Sequence, residues 1–128
     1  MPNILIPTDF SENANKAVSY AISLFGPESN YTLVNGYEVP HSGATMLISI
    51  ADILEKDALQ LLNDTKGKLI GGIPELKGQV DVRAEMGSAD VAIKKVLDTA
   101  DYDMVVMGTK GASGLKEVLI GSVAANVI

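Results

Sequence analysis

The chain has 128 residues, a length that suits one domain around one core, and 47% are hydrophobic against 20% charged, the balance of a globular protein and not of a disordered one. A net charge of −6 opposes general affinity for nucleic acid or anionic lipid, since both demand clustered Lys and Arg. The absence of cysteine excludes disulfides, thiolate catalysis and thiolate zinc sites; with no basic, apolar leader and no run near the ~20 apolar residues of a membrane span, a cytoplasmic setting without membrane attachment is expected.

Residues 3–7 read as a buried parallel strand, and Ser11 to Phe25 follow as a helix with Ala14, Ala17, Val18, Ala21, Ile22 and Phe25 on one face. The turn residues Gly26 to Asn30 lead into a second strand, Tyr31 to Tyr37. Pro40 to Thr45 reads as loop. From about Met46 to Leu69 the spacing of Ile50, Leu54, Ala58 and Leu61 predicts a long amphipathic helix, ended by Gly71-Gly72 and Pro74. Val80, Val82 and Ala84 then alternate with Asp81, Arg83 and Glu85, the pattern of an edge strand with one face on the core. Ser88 is placed to cap a third helix reaching Ala100. Asp103 to Met107 is an apolar fourth strand, and a last helix is expected to begin near Gly121.

Strands alternating with helices require parallel pairing and right-handed crossovers, which give an α/β, three-layer sheet covered on both faces. Ligands bind such sheets beyond the carboxyl ends of the strands, where the strand order reverses. If strands one and four are neighbours there, Asp9 and the loop after Met107 converge on one crevice.

That loop reads Met107-Gly108-Thr109-Lys110-Gly111-Ala112-Ser113-Gly114, and six residues later comes Gly121-Ser122. Glycines let backbone N–H groups turn inward on an anion, and a hydroxyl or a helix N-terminus can close the far side; glycines are also what a tight turn needs. The spacing Gly108-x2-Gly111-x9-Gly121-Ser122 resembles the nucleotide-binding signature of the universal stress protein family in its ATP-binding branch. The segment Asn3-Ile4-Leu5-Ile6-Pro7-Thr8-Asp9-Phe10-Ser11 is similar to that family's first strand and the turn with its adenosine-contacting aspartate.

The resemblance spans residues 3 to 128 and implies a Rossmann-like sheet of strand order 3-2-1-4. It also implies a site for ATP, ADP or AMP with Mg²⁺. In that site Asp9 bonds the ribose or adenine edge, Pro7 and Thr8 shape the wall, and Gly87 lets the backbone approach the base. Met107, Gly108, Lys110, Gly111, Ser113, Gly114, Gly121, Ser122 and Val123 belong to the nucleotide site, the loop's N–H groups holding the phosphates and Ser113 and Ser122 donating to them or binding Mg²⁺. From position alone Asp9, with Glu12 three residues later, reads equally as a helix N-cap, and Ser122 as another. Gly36 stands where relatives carry an aliphatic residue that packs on adenine.

The chain departs from the family pattern in three ways. Ala112 and Asn126 replace frequent arginines, leaving Lys110 and Lys116 as the nearby cations. The family's fifth strand, of the type Pro-Val-aliphatic-aliphatic, is missing before Ile128, so a longer or tandem protein is expected, with Met104 to Met107 left as an open sheet edge. The family homodimer often forms through that strand, which puts the usual dimer in question. His41 has no partners for a triad or metal cluster and reads as surface; Asp98, Asp101 and Asp103 read as a helix end and a strand approach, with no metal role.

The expectation is a nucleotide-dependent stress sensor or regulator without efficient catalysis, for which at most slow hydrolysis or autophosphorylation on Ser113 or Ser122 is expected. The alternative is a protein-interaction module of the same fold that uses no nucleotide, favoured by Gly36, Ala112 and Asn126. A true ATP-using α-hydrolase would want a Ser-Gly-Gly-x-Asp-Ser loop where this chain has Pro7 to Ser11.

Overall fold

The computed structural model describes residues 2–39, 44–76, 80–108 and 118–122. In chain order they form β1 (Asn3–Pro7), α1 (Glu12–Phe25), β2 (Asn30–Tyr37), α2 (Ala44–Gly72), a 3₁₀ turn (Pro74–Leu76), β3 (Val80–Met86), α3 (Ala89–Leu97), β4 (Met104–Gly108) and β5 (Val118–Ser122). The sheet order is β3-β2-β1-β4-β5. Its first four strands are parallel, and β5 runs antiparallel to β4. The order 3-2-1-4 is the expected one, with β3 at an edge.

The strands are apolar on both faces because both faces are covered. Ile4 and Ile6 of β1 pack with Leu33 of β2, Ala17, Val18, Ala21 and Ile22 of α1, and Leu62 of α2. Leu5, between them, points the other way, to Val34, Val105 and the α3 residues Ala92, Ile93 and Val96. This alternation within one strand puts α1 and α2 on one side and α3 on the other. The described sheet is thus buried at its centre, and its strand ends are the places left for chemistry.

Five expectations are corrected. The helix foreseen near Gly121 is instead strand β5, whose backbone pairs with β4 from Gly108↔Val118 to Met104↔Ser122. The edge of β4 expected to be open is therefore occupied. In α2 the buried line runs through Ala58 and Leu62, while Leu61 is 47% exposed. The stripe steps by four residues, so Leu61 falls about 100° away from it. That helix also begins earlier, at Ala44, and carries Gly71 and Gly72 as its last residues. Ser88 does hold the N-cap position of α3, but its side chain makes no capping bond.

Candidate functional site

After Pro7 the chain leaves the sheet through a turn held by a sequence of short polar side chains. The Thr8 N–H still donates to the Val34 carbonyl at 2.8 Å, and the Thr8 carbonyl accepts from the Asn35 side-chain amide, also at 2.8 Å. Thr8 Oγ1 accepts from the Phe10 N–H at 3.0 Å, and Asp9 Oδ1 accepts from the Ser11 N–H at 3.0 Å. Ser11 Oγ then accepts from the Ala14 N–H at 3.2 Å and caps α1. Short oxygen-bearing side chains form such bonds readily, which is why they gather at helix starts. The cap is therefore Ser11 and not Asp9; Asp9 shapes the turn before it, exposed to solvent. Between them Phe10 takes the left-handed conformation at φ +67, uncommon for a residue with a side chain, while its ring packs against the core shared by α1 and α2.

A crevice of about 130 Å³ opens at this end of the sheet. Of the residues expected at a nucleotide site, Pro7, Thr8, Asp9, Gly36, Met107 and Gly108 line it together. Two glycines set its shape by close approach. A Cβ on Gly36 would lie 2.7 Å from the Gly87 carbonyl oxygen and 2.9 Å from that of Ser88. A Cβ on Gly108 would lie 2.7 Å from the Asn13 carbonyl oxygen in the first turn of α1. Gly87 stands behind Gly36, joined through its N–H to the Tyr37 carbonyl at 2.8 Å.

Of the other described residues of the predicted set, Gly87, Gly121 and Ser122 are not in the lining. Gly121 and Ser122 pair with Val105 and Met104, at the start of β4, whereas the crevice lies beyond its end at Gly108. Four strand residues separate those ends, about 13 Å at the usual rise. Lys110, Gly111, Ser113, Gly114 and Val123 lie outside the described residues, as do Ala112, Lys116, Asn126 and His41.

Sequence reasoning missed Ser11, Asn13, Ala14, Val34, Ala89 and Ala92, which complete the lining. A cap residue directly after a strand end was the available signal for Ser11 and Asn13, because a helix that starts there must begin beside the ligand crevice. Ala89 and Ala92 carried no signal beyond small size. Their presence means that the N-terminal turns of both α1 and α3 border the crevice, and helix N-termini favour anions. The side chains oppose this partly. Among the described lining residues none is Lys or Arg, and Asp9 is acidic. Beside Gly36, burial raises the Tyr37 hydroxyl above its ordinary pKa, and the carboxylates of Glu55, Glu85 and Asp52 add to the rise. Within the lining an anion is thus favoured by the two helix N-terminal turns and opposed by Asp9. Among the described residues no group of three or more His, Cys, Asp or Glu could hold a metal ion, and no helix is long and apolar enough to cross a membrane.

Comparison with known proteins agrees with the architecture. The universal stress protein MJ0577 of Methanocaldococcus jannaschii is 28% identical over 144 residues, covering 98% of this chain and 86% of that protein. A second protein of that organism, universal stress protein MJ0531, is 31% identical over 135 residues, covering 98% and 74%. Among solved structures, UspA from Lactobacillus plantarum superposes with a TM-score of 0.68 at 16% identity, covering 97% of this chain and 88% of its own. A universal stress protein in complex with cAMP does so at 0.58 and 17%, covering 88% and 79%. The sequence model of the universal stress protein family matches residues 1–128, and the chain belongs to that family.

Proposed function

We propose that the crevice binds an adenine nucleotide, as ATP, ADP or AMP with Mg²⁺ carried on the phosphates. In this reading the chain is a cytoplasmic, nucleotide-dependent stress sensor or regulator, able to form a homodimer, and not an efficient catalyst. The observation that carries it is the convergence of two helix N-terminal turns with Pro7, Thr8, Asp9 and Gly108 at the carboxyl ends of β1 and β4. A sheet of this kind takes its ligand at that place, and a nucleotide offers phosphates for the N–H groups and a sugar for the carboxylate. The resemblance of both sequence segments to the ATP-binding branch supports the same ligand. The fold neighbour solved with cAMP is a universal stress protein holding an adenine nucleotide.

The absence of Lys and Arg from the described lining, with Asp9 and the acidic flank at Tyr37, favours a second reading, an interaction module without nucleotide. Calorimetric titration of Mg·ATP into the chain and into an Ala89→Trp variant separates the two. Ala89 is exposed and lines the crevice, so the indole blocks the opening without entering the core. Saturable binding in the native chain, lost in the variant at an unchanged thermal midpoint, is the expected result. No binding at millimolar ATP would leave the interaction module.

A further inference from the structure

We propose that Asn35 is a positioning residue of the nucleotide site: its side-chain amide holds the Thr8 carbonyl and thereby sets where Asp9 is presented to the ligand. The inference rests on the nucleotide reading and adds to it a residue outside the crevice lining.

The regular pairing of β1 with β2 ends at Pro7↔Val34. Two hydrogen bonds then tie Thr8 to β2, one from its N–H to the Val34 carbonyl and one from Asn35 Nδ2 to its carbonyl, both 2.8 Å. The first is main chain to main chain. The second depends on one side chain, and it acts where the strand ladder no longer can. Asn35 is also the sole polar side chain in the run Leu33-Val34-Asn35-Gly36, within a strand whose preceding residues are buried. An apolar residue there would fit the strand as well and would leave the carbonyl of buried Thr8 without this donor.

Beyond Thr8 the Phe10 ring packs against the core and anchors the turn there. Asp9 is the exposed residue between the two anchors. Phe10 is held in its left-handed conformation by bonds to Thr8 Oγ1 on its own N–H and to Asp9 Oδ1 on the N–H after it. A turn kept in an uncommon conformation by its neighbours relaxes when one of them lets go. Release of the Thr8 carbonyl therefore lets Thr8 and Phe10 move apart from their present geometry, and Asp9 moves with them. Asn35 acts on the ligand through Asp9, not by touching it.

A double-mutant cycle with Mg·ATP calorimetry tests this on the whole chain. Asn35→Ala and Asp9→Ala are each expected to weaken binding about tenfold, the range of one lost hydrogen bond, and the double variant about tenfold as well, since Asn35 works through Asp9. Asn35→Asp, which keeps the shape and replaces the donor by an acceptor, should weaken binding at least as much and serves if the alanine variant folds poorly. Losses that multiply to about a hundredfold, or native affinity in the Asn35 variants, would overturn the proposal. Amide hydrogen exchange without nucleotide gives a readout that does not need the ligand: the Phe10 and Ser11 amides should lose protection in the Asn35 variants while the β1 and β2 amides keep theirs. Unchanged protection at both amides sinks the inference even if ATP binds. Lost protection in a chain that does not bind ATP would instead remove the nucleotide reading and, with it, the role assigned to Asn35.

Discussion

The two ends of the sheet use similar residues to opposite effect. At the amino end of β1, Asn3 donates its N–H to Asp103 Oδ2 at 2.8 Å, accepts the Asp103 N–H on its carbonyl at 2.8 Å, and accepts the Asn30 amide on Oδ1 at 3.0 Å. Polar groups from β1, β2 and the approach to β4 satisfy one another there, and the end is closed. At the carboxyl end the side chains of Thr8, Asp9 and Ser11 each accept a bond from an N–H of their own segment, Gly36 and Gly108 bring no side chains, and a crevice remains. What distinguishes the two ends is therefore not how polar they are: at the amino end side chains of Asn3, Asn30 and Asp103 link three segments, whereas at the carboxyl end the side chains of Thr8 and Ser11 bond within their own turn, which Asn35 ties to β2.

The largest effect on that contrast should come from closing the open end by force. Gly36→Val places a branched side chain against two backbone oxygens 2.7 and 2.9 Å from its Cβ, so the turn between β3 and α3 must move. Overpacking of that kind typically costs 1–3 kcal/mol, and about 3 kcal/mol is expected here by urea denaturation because backbone and not a flexible tip must yield. A cost near zero would mean that the turn is looser than its contacts imply.

A smaller effect is expected at the closed end through Tyr31, whose buried hydroxyl donates to the Gly26 carbonyl. Burial raises its pKa above the ordinary 10.0, with a bond to Ser29 acting the other way. The folded state thus holds the phenol proton more tightly than the unfolded chain. This stability is fully present below pH 10.0 and is lost as pH rises through the folded value. Tyr31→Phe should lower stability by about 1 kcal/mol at neutral pH, and the deficit should shrink in denaturation curves taken above pH 10.0. A deficit constant across that range would exclude Tyr31 as the titrating group.

The smallest effect belongs to Asp103→Ala. Its bond to Asn3 is exposed, so a loss of about 0.5–1 kcal/mol is expected with no change in Mg·ATP affinity. Weakened binding in this variant would show that the two ends are coupled and that the comparison fails.

Much of the fold was legible because strand and helix periods are written in apolar residues. β1, β2, β4 and the edge position of β3 follow from runs such as Ile4-Leu5-Ile6 and from the alternation of Val80 to Glu85. Leu61 was misplaced since a stripe advancing by three or by four looks the same over two turns. β5 was illegible: Val118-Leu119-Ile120 is an apolar run too short to distinguish strand from helix, and Gly121-Ser122 reads as a cap until a partner strand is known. In the site, Asp9 and Gly108 were legible as the residues beyond strands one and four, in an order that the family resemblance implies, and Pro7, Thr8, Gly36 and Met107 came from that resemblance. Ser11 as the cap, and Asn35 as the donor to Thr8, depend on side-chain directions that no period encodes.

Pairing across the centre of the sheet also bears on how the molecule comes to exist. Ile4 faces Met104 and Leu5 faces Val105, partners one hundred residues apart. Contacts of such separation form slowly, because the entropy of closing the intervening chain is lost before any pairing is gained. Residues between Pro7 and Ala14 and the pair Met107-Gly108 line one crevice, with Gly108 close against Asn13. During synthesis the residues after β1 leave the ribosome long before Met107 and Gly108, so the crevice completes only when β4 docks beside β1. A chain stopped short of Gly108 lacks part of this lining, and the complete crevice exists once the two distant segments have met.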